Sequence, residues 1–92
     1  MSANLYSRRV AVAAADGWVK IDAASAVCLF WLRAAEADTV AIRQAGSGTA
    51  LADAALLPAA VIGLSGVNAS EIEISTESET DVVVHVIGYT RR

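Results

Sequence analysis

The chain has 92 residues, 55% of them hydrophobic and 18% charged, with a mean hydropathy of +0.49 and a formal charge of −3. That length makes a single domain, residues 1–92, and the acidic balance supplies no basic footprint for nucleic acid. The longest apolar run, Val27-Cys28-Leu29-Phe30-Trp31-Leu32, falls far short of the roughly 20 residues that span a bilayer.

Ala and Val supply much of the apolar content, so the average side chain is small. A small domain with more apolar surface than it can bury alone buries the remainder against partners, which points to an oligomer or an assembly subunit. Residues 1–7 form a polar lead-in, read as a short N-terminal arm with Leu5 and Tyr6 as anchors. Arg8-Arg9 followed by Val10 to Ala15 imitates a secretory signal, but the apolar segment is too short and lacks leucine.

Alternation around Val10 and Val12 predicts a strand, and Asp16-Gly17 is a turn pair that reads as a hairpin. Trp18 to Asp22 alternates again, with Val19 and Ile21 on one face. The alanines at 23–26 favour helix, and a helix over 23–37 competes with a loop to about 26 and a strand over 27–34. The strand is preferred, because Val27 to Trp31 is dense in β-branched and aromatic residues without a polar stripe. Thr39 to Gln44 is the next strand, with Val40 and Ile42 inward and Arg43 outward. Gly46-Ser47-Gly48 is a loop, and residues 50–57 read as a helical turn or an irregular crossover stopped by Pro58. Val61 to Val67 is a strand interrupted by glycines, and Asn68-Ala69-Ser70 is a turn.

The C-terminal stretch organises the remainder. Glu71-Ile72-Glu73-Ile74 has the period of a half-buried strand. Ser75 to Thr80 is polar and reads as a loop, and Val82 to Tyr89 is a β-branched run suited to a strand covered on both faces or to one whose outer face meets a neighbour. The two strands read as a hairpin at the edge of the sheet. The whole predicts an all-β, jelly-roll-like antiparallel β-sandwich of seven or eight short strands. Its core is assigned to Val19, Ile21, Leu29, Val40, Ile42, Ile72, Ile74, Val84 and Val86.

Chemistry is sparse. Cys28 is the only cysteine and sits in an apolar run without an activating base. His85 is the only histidine, no cysteine or second histidine sits near it to start a zinc site, and on a valine-rich strand it reads as a packed or interface residue. No Gly-x-Ser-x-Gly elbow is present, and Gly46-Ser47-Gly48 lacks the lysine of a phosphate loop. No catalytic, cofactor or metal site is assigned, and the chain is not read as an enzyme. The acidic residues Glu71, Glu73, Glu77, Glu79 and Asp81 carry a second reading as calcium ligands, against a solvated edge that discourages aggregation. Trp18 and Trp31 could stack on a sugar, although packing is the commoner role of tryptophan.

Four stretches recur in order: Gly17 to Asp22, Val40 to Ser47, Ile62 to Ser70, and Val82 to Thr90 with its Gly88-Tyr89 close. Together they resemble the small β-sandwich virion proteins of tailed bacteriophages, which decorate heads or form parts of fibres. The alanine-rich segment 50–60 departs from that pattern, and a long capsid-binding extension has no counterpart in residues 1–7. The resemblance implies a head decoration protein, assembled in the bacterial cytoplasm and located in the virion. Its partners would be itself, with a trimer favoured, and the major capsid protein or another virion protein, with no nucleic acid and no membrane. The candidate contacts are Leu5, Tyr6, Trp18, Trp31, His85 and Tyr89. The alternative is a carbohydrate- or host-surface-binding module of a fibre or tail tip.

Overall fold

The computed structural model describes residues 3–22, 29–34, 40–57, 62–65 and 67–91. Among these described residues eight strands follow in chain order: β1 (Ala3–Val12), β2 (Val19–Lys20), β3 (Leu29–Ala34), β4 (Val40–Gln44), β5 (Ala55–Leu57), β6 (Ile62–Ser65), β7 (Ile72–Thr76) and β8 (Val82–Arg91). Two short 3-10 turns, Ala14–Asp16 and Ala69–Glu71, lie between them. The fold is all-β, as the alternation predicts.

The strands make two four-stranded antiparallel sheets, in the orders β1-β8-β3-β6 and β2-β7-β4-β5. The pairing is nested. β1 pairs with β8, β2 with β7, β3 with β6 and β4 with β5, so the chain doubles back on itself about the 45–54 connection. Two further ladders, β3 with β8 and β4 with β7, lock the doubled chain into its two sheets.

One core lies between the sheets. β1 and β8 contribute Val10, Val12, Val82, Val84 and Val86, and the other sheet answers with Ile21, Val40, Leu57, Ile72 and Ile74. Val19 and Ile42 pack against this cluster partly buried, while the Leu29 side chain lies outside the described residues. The core is built from compact β-branched side chains, each contributing about 1.5–3 kcal/mol when fully buried. Tyr6 also packs on it, at the position opposite Gly88, which has no side chain to compete for the space. Its hydroxyl donates to Asp22 Oδ2 at 2.7 Å, and Arg8 Nη1 stands 3.8 Å from the same oxygen. This contact laces β1 of one sheet to the residue pair that follows β2 in the other.

Several expectations are corrected. Neither expected hairpin exists, because β1 and β2 belong to different sheets, as do β7 and β8. The Asp16-Gly17 turn does form, with Gly17 at φ 64°, but it turns the chain from one sheet into the other. β8 is central, between β1 and β3, and not an edge. The expected arm of residues 1–7 is strand from Ala3 onward, because it continues the β8 ladder to Arg91. Ser75 and Thr76 are buried ends of β7 and not loop. Ser75 avoids an unpaired hydroxyl by donating to the Gly17 carbonyl at 2.8 Å. Glu71 belongs to a 3-10 turn, where its carboxylate accepts from Asn68 N–H at 2.9 Å and Asn68 Oδ1 accepts from Ser70 N–H at 3.1 Å. Residues 50–57 resolve into a turn followed by β5, which pairs with β4. Over 29–34 the contested segment is strand; residues 23–28 and 35–37 lie outside the described residues.

Ile74 is 0% exposed at the centre of β7. Ile74→Asp should cost about 4–5 kcal/mol by burying an unpaired carboxylate, a loss near the whole stability of a small domain. A thermal scan by circular dichroism should therefore lose its cooperative transition; a melting curve like that of the unmodified protein would refute the placement.

Candidate functional site

The two outer sheet faces differ in chemistry. On the β1-β8-β3-β6 sheet, alternation turns Leu5, Ser7, Arg9 and Ala11 of β1 and Val83, His85, Ile87 and Tyr89 of β8 away from the core. The register sets them side by side, Leu5 opposite Tyr89, Ser7 opposite Ile87 and Arg9 opposite His85. Leu5 is 76% exposed and Ile87 52% exposed, diagonal neighbours on adjacent strands. Single exposed apolar residues are ordinary, but two large aliphatics beside a half-buried tyrosine make a patch suited to a partner surface.

This sheet also segregates charge. Its four strands contain Arg8, Arg9, Arg33 and Arg91, together with His85, and not one Asp or Glu. All ten carboxylates lie elsewhere in the chain. With the histidine neutral, the sheet's strands carry +4 and the rest of the chain −7, consistent with the overall −3.

The outer face of the β2-β7-β4-β5 sheet is built as an internal clamp. The Arg43 guanidinium lies 4.1 Å from the centroid of the Trp18 ring, its Nε donates to Glu73 Oε1 at 2.9 Å, and its Nη1 donates to the Thr49 carbonyl at 2.6 Å. Register explains the meeting, because Arg43 stands opposite Glu73 on the neighbouring strand. With 16% and 14% side-chain exposure, the pair is mostly shielded from water. A guanidinium stacked on the indole and held by two acceptors fastens the Gly17 turn and the 46–49 loop to the sheet.

Beside the clamp is an open cavity of about 300 Å³, lined by Ala41, Leu51, Ala52, Ala54, Leu56 and Glu77. It offers one carboxylate and no convergent donors, which gives it no means of orienting a polar substrate. In the Gly46-Ser47-Gly48 loop, Ser47 N–H donates to the Gln44 carbonyl and its hydroxyl to Thr49 Oγ1, and a turn, not a helix, follows. Of the acidic residues, Glu71 closes a turn and Glu73 is paired with Arg43, while Glu77, Glu79 and Asp81 are exposed. Among the described residues, no three His, Cys, Asp or Glu side chains are placed to hold a metal ion.

The six candidate contacts are thus divided. Leu5, His85 and Tyr89 share one outer face, Leu5 opposite Tyr89 and His85 four positions further along β8. Trp31 is in register with Ile87 of the same sheet; its side chain lies outside the described residues. Tyr6 faces inward with its hydroxyl engaged, and Trp18 belongs to the Arg43 clamp on the opposite sheet. Ile87 and Arg9 complete the patch and are missed by sequence reading. The signal for Ile87 was the odd phase of the 82–89 run, unreadable while both phases are apolar. No family model, curated protein or solved structure matches the chain.

Arg43→Ala should leave the Glu73 carboxylate and the Thr49 carbonyl short of a donor, at a cost of about 2 kcal/mol. The urea midpoint should fall with the slope unchanged; an unshifted midpoint would show the clamp to be an ornament of the surface.

Proposed function

We propose that this chain is a virion structural protein of a tailed bacteriophage, acting as a head decoration subunit that self-associates, as a trimer, and binds capsid subunits. The reading includes a jelly-roll sandwich, and the strand orders β1-β8-β3-β6 and β2-β7-β4-β5 support it. Eight strands nested in this way fit two interlocked Greek keys, an architecture used by viral capsid and lectin domains.

The observation that carries the functional reading is the exposed Leu5–Ile87–Tyr89 patch on a sheet whose strands hold no carboxylate. A subunit of this kind works by binding, and its task would be to raise the free energy needed to separate neighbouring capsid subunits. The carbohydrate-binding alternative has weaker support. Trp18 already has a guanidinium on its ring, and the nearby cavity has a single polar side chain.

The test is to add purified protein to capsids of the host phage assembled without it. Saturable binding at a fixed ratio to the major capsid protein, with improved survival of the capsids on heating, is expected. Absence of binding, or tryptophan quenching by simple sugars in its place, would overturn the reading. Leu5→Asp should weaken binding by about tenfold or more while leaving the melting temperature within a few degrees, since Leu5 contributes little to the core.

A further inference from the structure

Among the described residues, the carboxylates missing from the β1-β8-β3-β6 sheet are not spread evenly over the remainder of the molecule. The β1–β8 ladder ends at the Val12–Val82 pair, and Asp81 immediately precedes it. Ala14 N–H donates to the Ser78 carbonyl at 2.7 Å, which docks the Ala14–Asp16 turn on the 77–81 connection. Asp16, Glu77, Glu79 and Asp81, all exposed, are therefore gathered at this one end. The Leu5–Tyr89 pair lies seven residues further along the ladder, about 24 Å away at strand spacing. Arg9 and His85 stand between, on the outer face. These charge-bearing positions lie three residues from the Val12–Val82 pair, about 10 Å at strand spacing and just beyond the Debye length of about 8 Å at physiological salt, so the acidic end neutralises the basic face of its own molecule only in part.

We propose that a second copy of this chain docks head to tail, seating its acidic Asp16–Asp81 end on the basic, apolar outer face of the β1-β8-β3-β6 sheet. The inference rests on the self-association in the proposed function and names the surfaces that perform it. Charge chooses the symmetry. A two-fold contact of this face with itself brings Arg9 of both copies onto a surface whose strands hold no carboxylate to answer them, a juxtaposition that costs free energy. A contact between two different surfaces brings opposite charges together and, where the rotation between copies closes, repeats around a ring. Leu5 and Ile87 supply the apolar area, and the carboxylates supply register and orientation.

Light scattering after size exclusion tests this on the full chain at low and high salt. The unmodified protein should be oligomeric at low salt and dissociate as salt is raised. Arg9→Glu, and separately Glu79→Lys with Asp81→Lys, should each weaken association by about tenfold or more. Combining the three substitutions in one chain should restore it to within about threefold, because the charges are then exchanged across the same contact. Lys20→Glu, on the other sheet, should leave the mass unchanged, and circular dichroism should show every variant folded.

A monomer at all concentrations in low salt, tighter association of Arg9→Glu, or failure of the combined variant to recover would each overturn the proposal. A monomer that still binds capsids would sink this contact and spare the decoration reading. An oligomer that responds to the reversals but ignores capsids would do the opposite.

Discussion

Ten consecutive cross-strand pairs, from Ala3–Arg91 to Val12–Val82, join the two ends of the chain, and the remaining architecture depends on them. The ladder places Val10 and Val12 beside Val82, Val84 and Val86, which form half of the inter-sheet core. Without that half, Ile72, Ile74 and Val40 would have nothing to pack against. Closing a loop this long costs conformational entropy before any contact rewards it. The nested pairing softens that cost, since the 45–54 connection can close first and each later pair then closes a smaller gap than its sequence separation suggests. A chain with such non-local pairing is expected to belong to the slower class of folders.

The same ladder gives the molecule its electrical polarity. Strands β1 and β8 supply Arg8, Arg9, His85 and Arg91, whereas the connections at the Val12–Val82 end carry Asp16, Glu77, Glu79 and Asp81. Inner-face positions cannot take charge, so charge within these strands is confined to outer positions and edges. Arg8, on the inner side of an edge strand, illustrates the limit: it stays half in solvent and reaches Asp22 across the gap between the sheets. On the opposite sheet, Arg43 and Glu73 neutralise each other and hold a loop, which occupies part of that face, while Leu56 and the cavity it lines stay open.

Parts of the candidate site were legible early and parts were not. Leu5, His85 and Tyr89 could be suspected because large or polar side chains in a strand without a local partner need a neighbour. Tyr6 could not be separated from Leu5 by composition; only the phase of β1 sends one ring to the core and the other side chain to solvent. Ile87 was invisible in a run that is apolar in both phases. The Arg43 clamp joins residues from four stretches of chain, and no local pattern announces a cation placed over an indole.

Local chemistry by itself determined that this chain makes strands, roughly where they run, and which side chains of the clearly alternating segments face inward. Period-two alternation and turn residues act over a few positions, and Ile21, Val40, Ile72 and Ile74 follow them into the core. Only the tertiary structure decided which strands pair. The turn at Asp16-Gly17 and the polar stretch before Val82 have the composition of hairpin loops, yet both carry the chain between sheets. A turn's residues govern the dihedral angles within it, and not whether the strands it joins lie side by side or face to face. That choice falls to burial: the apolar faces of β1 and β8 are covered only when they pair with each other and lie across the core from β2, β7, β4 and β5.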